Sequence, residues 1–293
     1  MVTSMTQTGR TGTGGPLSGI AVVSIATNLP GPLASSRLSA LGARVTKVEP
    51  PSGDPLEQVS KAYYDELVLG QTVRVLDLKE RTGRASLETL LTDADLLITA
   101  SRTAALDRLG LDWDGVHDRH PRLNQVAIVG HPAPDDNRPG HDLTYQAVNG
   151  MLTPTAMPSV LVADLSGAER AVSEGLAAIV HRARTGEGTR REVALSSAAE
   201  AMAAPIRHRL TTPAGPLGGA FPAYGIYAAA TGHVALAALE PHFLARLREL
   251  LGVSGTRVEL ESVFATRTAQ EWQDWAQAHD LPLAAIVTPG RRP

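Results

Sequence analysis

At 293 residues the chain exceeds the roughly 100–200 typical of one domain, and its 43% apolar share is near the roughly 45–50% of ordinary globular proteins. One large globular chain or two domains is therefore expected. Lys and Arg total 27 against 30 Asp and Glu, and the resulting net charge of -3 supplies no global field to gather nucleic acid or anionic lipid. The absence of cysteine excludes disulfides, thiolate nucleophiles and Cys-ligated metals, so any chemistry runs on oxygen and nitrogen groups.

Residues 1–15 are mostly Ser, Thr and Gly, without the roughly 7–15 apolar residues of a secretion signal, and read as a disordered tail. Nowhere do ~18 apolar residues run together, so a soluble, cytoplasmic protein is expected. Ile20 to Ile25 then forms a short buried-strand pattern, Leu29-Pro30-Gly31-Pro32 a turn, and Leu33 to Leu41 a helix. Gly42 ends that helix, and Ala43 to Val48 reads as a second strand, completing a βαβ unit that predicts a parallel sheet. The alternation continues through apolar Val73 to Leu78, helical Arg84 to Leu91, strand Asp95 to Thr99, helical Ala104 to Leu109 and strand Leu123 to Ile128.

Beyond Gly150 the expectation is a loop with Pro154 and Pro158, a strand Val160 to Ala163, and a helix from Gly167 to about Arg184 with Ala168, Val172, Leu176, Ile179 and Val180 on one face. The Pro- and Gly-rich stretch Pro213 to Gly219 breaks the chain before a hairpin of Phe221 to Ala230 and His233 to Ala237 across Thr231-Gly232, which opens a second, smaller domain. Helices over Phe243 to Leu251 and Ala269 to His279 follow, then a strand over Ala284 to Val287.

The glycines between Gly9 and Gly15 precede the first strand and so cannot cradle a pyrophosphate, and neither a Gly-x-Ser-x-Gly elbow nor a phosphate-binding Gly-Lys-Ser/Thr loop occurs. His117 and His120 are spaced like metal ligands, but no motif ties a carboxylate to them, and surface histidines are expected. Three spots say more. His141 follows the Pro139-Gly140 turn at an expected helix start, where it is either a poised base or part of a cap with Asp142. Asp164 ends the expected strand Val160 to Ala163 and precedes a long helix, so it is either an N-cap or a carboxylate at the strand end where α/β proteins collect ligands. Glu240 follows Ala235 to Leu239 and precedes Pro241-His242-Phe243, again at a helix start.

From Pro16 onward the chain resembles the family III CoA-transferases, and within them the α-methylacyl-CoA racemases. The resemblance is carried by Pro16-Leu17-Ser18-Gly19-Ile20, Pro30-Gly31-Pro32-Leu33-Ala34, Leu41 to Pro51, Leu76-Asp77-Leu78-Lys79 and Leu106 to Leu111. It is sharpened by Gly140-His141-Asp142, Val162-Ala163-Asp164 and Ala238-Leu239-Glu240-Pro241, which match where the racemases keep their catalytic groups. It implies an α/β fold with a Rossmann-like parallel-sheet large domain over residues 16–205 and a smaller α+β domain with a shortened C-terminal segment over 206–293. It also implies a homodimer in which Glu240 arrives from the partner chain, catalytic roles for His141, Asp164 and Glu240, and Arg37, Lys47, Arg74 and Arg102 as the cations nearest the substrate phosphates. No cofactor or metal is expected beyond the substrate, an acyl thioester of CoA or of a carrier protein, and neither nucleic acid nor membrane is expected as a partner.

Four departures accompany the match. The family's basic segment before Leu76 is replaced by Leu67 to Arg74, which keeps one cation; Val129 to Pro134 replaces a Ser-Gly-Phe-Gly-Gln type segment; the loop before Asp164 is shortened; and a C-terminal return segment is expected to be missing or trimmed after Val287. The expected reaction inverts the α-carbon of a 2-methylacyl thioester with His141 and Asp164 as the two bases, and backbone N–H groups of the helix following Asp164 stabilise the enolate. A CoA-transferase with Asp164 as nucleophile and a non-catalytic thioester-binding protein remain the alternatives.

Overall fold

The structure is a computed structural model that describes residues 14–287, and the chain divides into two compact units between Ala203 and Ala204. Most of the expected N-terminal tail, residues 1–13, and the end of the chain, residues 288–293, lie outside the described residues.

The first unit is built on a parallel sheet of β1 (Ala21–Ser24), β2 (Arg44–Glu49), β3 (Thr72–Val75), β4 (Leu96–Thr99), β5 (Asn124–Val129) and β6 (Arg190–Ala194). Its strand order is β3-β2-β1-β4-β5-β6, the doubly wound order of Rossmann-like sheets. The helices of this unit are α1 (Pro30–Ala40), α2 (Pro55–Val59), α3 (Lys61–Val68), α4 (Arg81–Thr92), α5 (Thr103–Arg108), α6 (Trp113–Arg119), α7 (Asp142–Val148), α8 (Val162–Thr185) and α9 (Leu195–Met202).

Successive strand residues face opposite ways, so each buried strand feeds two cores. Val22, Val45, Leu96, Ile98, Val126 and Ile128 pack against α1 and α8 on one face. Val23, Val48 and Leu97 pack against α4, α5 and α6 on the other. This two-sided burial explains the unbroken apolar runs in β1 and β4. Leu96, Leu97 and Ile98 are wholly buried, each stabilising the fold by about 1.5–3 kcal/mol relative to exposure. The long helix α8 lies close to the sheet because Gly175 faces it: a Cβ there would come within 3.0 Å of Leu96.

Among the differences from the sequence reading, two concern strands. Val160 to Ala163 is not a strand; α8 begins at Val162, because a four-residue apolar run carries no period that distinguishes strand from helix, and a tertiary contact described below takes the backbone of Ala163 and Asp164 into a helix start. The sheet also gains β6, whose Arg190-Arg191-Glu192 sequence hides a strand; it is an edge strand, and its half-exposed face tolerates charge.

The second unit contains an antiparallel sheet of β7 (Tyr224–Ala228), β8 (His233–Ala237) and β9 (Leu283–Ala285), in that order, with α10 (Ala204–Arg207), α11 (Pro241–Leu251), α12 (Arg257–Phe264) and α13 (Ala269–Ala278). The hairpin predicted across Thr231-Gly232 is present, pairing Ala228 with His233, and Gly232 supplies the left-handed turn conformation. Its core gathers Tyr227, Leu247, Leu260, Phe264 and Trp272, whose indole N–H donates to the Phe264 carbonyl at 2.8 Å.

Within the first unit, Lys47 on β2 is wholly buried, and its ammonium donates to Glu49 Oε1 at 2.5 Å and Asp54 Oδ2 at 2.7 Å. Tyr64 donates to the same Glu49 oxygen at 2.8 Å, while Asp54 Oδ1 accepts from the backbone N–H groups of Asn28 and Leu56. The network therefore ties β2 to the β1–α1 loop. Removing one partner of such a buried pair leaves uncompensated charge and costs about 3–5 kcal/mol. Lys47→Met is expected to lose that much in urea unfolding; an unchanged midpoint would show that the network contributes nothing to folding.

Candidate active site

The site grows from the starts of α7 and α8. After β5 the chain runs through Gly140 to His141, whose extended backbone forms the N-cap of α7 and whose imidazole is exposed. Thr144 closes this turn: its hydroxyl accepts from the His141 N–H at 3.1 Å and donates to the His141 carbonyl at 2.7 Å.

Asp142 does not cap its own helix. Its buried carboxylate reaches the start of α8, where Oδ2 accepts from the backbone N–H groups of Ala163 at 2.7 Å and Asp164 at 3.0 Å. Gln146, one turn further along α7, donates through Nε2 to Asp142 Oδ1 at 2.5 Å and to the Val160 carbonyl at 2.9 Å. The expectation that first-turn N–H groups of α8 serve an enolate is thereby corrected, since Asp142 already occupies those of Ala163 and Asp164. Asp164 sits in the first turn of α8 and not at a strand end, with its side chain half-buried.

Burial pushes the Asp164 carboxyl up to about 6, the Asp142 charge pushes in the same direction, and His141 opposes them. Tyr145, buried on α7, feels the same site: burial and then Asp164 raise its hydroxyl, while Arg102 lowers it. The Tyr145 hydroxyl has no hydrogen-bond partner among the described residues, and Gly130 and Gly140 leave it room, since a Cβ at either would come within 2.6 Å of its oxygen. His141, Asp142, Tyr145, Asp164 and Arg102 thus share one electrostatic neighbourhood. Sequence reasoning missed Tyr145 and the reach of Asp142; the only local signal was the four-residue spacing of Asp142 and Gln146 on one helix face.

The remaining candidates belong to other elements. Lys47 is withdrawn from the set of phosphate-binding cations, because its donors are buried against Glu49 and Asp54. Arg37, exposed on α1, pairs with Glu169 of α8 at 3.0 Å. Arg74 is exposed on the edge strand β3. In the replaced basic segment, Gln71 donates to the Leu67 carbonyl at 2.7 Å. Glu240, in the second unit, is the exposed N-cap of α11. His120 bonds Glu88 at 2.8 Å and His117 stacks on Trp113, and no cluster of three potential metal ligands occurs among the described residues. Among those same residues, no helix is long and apolar enough to cross a membrane.

Residues 17–291 match the sequence pattern of CoA-transferase family III. The chain belongs to this family. It is 31% identical to the succinate–glutarate CoA-transferase of Agrobacterium fabrum, over 93% of this chain and 74% of that protein. Identity to the human alpha-methylacyl-CoA racemase is 27%, over 93% of this chain and 78% of that one. A crystal structure of a hypothetical protein from Mycobacterium tuberculosis superposes with a TM-score of 0.80 at 26% identity, covering 94% of this chain and 84% of the other. Other similar proteins are CoA-transferases too, several matched over about half their length. The family is therefore one of enzymes acting on acyl-CoA thioesters, and the sheet order agrees with its fold.

Because the Asp164 carboxyl lies near 6 in the folded chain and at 3.8 ordinarily, the folded state holds an extra proton between those values. Its stabilising contribution is complete below 3.8 and is lost as pH rises through about 6. Asp164→Asn removes this loss, so its melting temperature relative to the unsubstituted protein should climb across that interval in thermal scans. A constant difference would refute the raised carboxyl.

Proposed function

We propose that the chain inverts the α-carbon of a 2-methylacyl thioester, with His141 and Asp164 as the two bases. The observation that carries this reading is the pairing of an exposed imidazole with a half-buried carboxyl at about 6, at two helix starts joined by Asp142. A proton beside a thioester carbonyl is weakly acidic, and inversion needs a base on one face and an acid on the other. In one direction neutral His141 takes the α-proton and protonated Asp164 delivers one to the opposite face; in the reverse direction the roles exchange. A carboxyl near 6 keeps a protonated fraction close to neutral pH, which an ordinary aspartate does not. The backbone N–H groups of Asp142 and Leu143, beside His141, have no partner among the described residues and are assigned to the enolate oxygen.

The resemblance to the racemases supports assigning Glu240 to the imidazolium of His141, from a second copy in a homodimer. Arg37, Arg74 and Arg102 are the cations left for substrate phosphates. With Lys47 withdrawn and Gln71 spent locally, binding of free CoA thioesters is expected to be weak, and a carrier-protein thioester remains within the substrate class.

A second reading is favoured by the preponderance of CoA-transferases among similar proteins. There, ionised Asp164 attacks the thioester carbonyl, the carbon–sulfur bond breaks, the thiolate leaves, and the acyl group stays on Asp164 as a mixed anhydride. One experiment separates the readings: 2-methylacyl thioesters of CoA and of a carrier protein are incubated in deuterium oxide, and both substrate and protein are weighed by mass spectrometry. Deuterium at the α-carbon with unmodified protein is the expected outcome. An acyl adduct on Asp164 without α-exchange supports the transferase, and neither product points to a chain that binds without turnover.

A further inference from the structure

We propose that Asp142 is a positioning residue: its carboxylate clamps the start of α8 to α7, fixing Asp164 beside His141 and placing a second negative charge at the same helix end. The inference rests on the reading of Asp164 as the reacting carboxyl. The geometry is over-determined. Both Asp142 and Gln146 are almost wholly buried, and together they make three contacts to the segment from Val160 to Asp164, at 2.7, 2.9 and 3.0 Å, while bonding each other at 2.5 Å.

A neutral Ser, Thr or Asn caps a helix as well as Asp does, so capping alone gives no reason for charge here. The reason lies in what the charge faces. From α7, His141, Asp142 and Tyr145 bear on this helix end, and from the residue preceding α5, Arg102 bears on Tyr145. Asp142 accepts three hydrogen bonds, two of them from backbone N–H groups in the first turn of α8. Asp164, in the same helix turn, is raised first by burial and then by the Asp142 charge. Two carboxyls thus meet at one helix start, and the one that clamps the helix adds its charge to the burial that raises the other.

Asp142→Asn preserves size and one acceptor while removing the charge. With aspartate carboxyl carbons labelled with 13C, and the Asp164 signal identified by its loss in Asp164→Asn, Asp164 of D142N is expected to titrate below the value of about 6 in the unsubstituted protein. An unmoved midpoint in folded D142N overturns the proposal. If D142N does not fold, the unsubstituted protein decides: the amide hydrogens of Ala163 and Asp164 must be protected from exchange with solvent, and amides that exchange as freely as those of an open helix start overturn it. Neither readout needs turnover. Where turnover is measurable in the direction in which Asp164 is the base, the acid limb of its pH profile should move with Asp164 to lower pH in D142N. A moved carboxyl midpoint with an unmoved limb supports the positioning by Asp142 and counts against the reaction assigned to Asp164.

Discussion

The buried carboxylate of Asp142, shared between the helix that carries it and the helix that carries Asp164, is the contact on which the geometry of the site depends. Its hydrogen bonds to the Ala163 and Asp164 amides are charge-assisted, a class worth roughly 1.5–3 kcal/mol each. They commit the apolar residues after Val160 to a helix start, and they direct the Asp164 side chain toward the end of α7 where His141 waits. The same charge makes the ionised form of Asp164 costly. On this proposal one residue sets where the carboxyl stands and adds its charge to the burial that raises it.

The sheet supplies the frame for this contact. Strands buried on both faces hold β5 rigidly, and the connection from β5 delivers Gly140 and His141 beyond its carboxyl end, the region where doubly wound proteins collect ligands. The Lys47 network plays a parallel structural part on the other side of the switch in strand order. It fastens the loop after β1 through Asn28, and in doing so removes a cation that the family resemblance had offered to the substrate. In the proposed function the phosphate grip is left to arginines on separate elements, α1, β3 and the residue before α5, a looser arrangement than a contiguous basic segment.

Much of the fold was legible because period and punctuation agreed. The βαβ opening, the parallel alternation and the hairpin at Thr231-Gly232 each rest on local pattern, and each is present. Failures came where local pattern was neutral and a distant residue decided. Val160 to Ala163 has no period, and its fate was set by Asp142, which lies 21 residues from Ala163 in sequence. β6 was hidden by charges that an edge strand tolerates. Lys47 alternates as a strand residue should, but nothing within the strand announces that Asp54, seven residues on, returns to neutralise it in the interior. His141 and Asp164 were singled out by their places at element ends, whereas the coupling between them became visible only in three dimensions.

The central claim is that His141 and Asp164 serve opposite faces of one carbon, and its most direct measurement is deuterium uptake followed separately from each pure enantiomer in the two single variants, His141→Ala and Asp164→Ala. The account predicts complementary behaviour: each variant loses racemisation but still exchanges the α-proton of one enantiomer, and the enantiomer differs between the variants because each retains a different base. Exchange of the same enantiomer in both variants, or racemisation that survives either substitution, would contradict it.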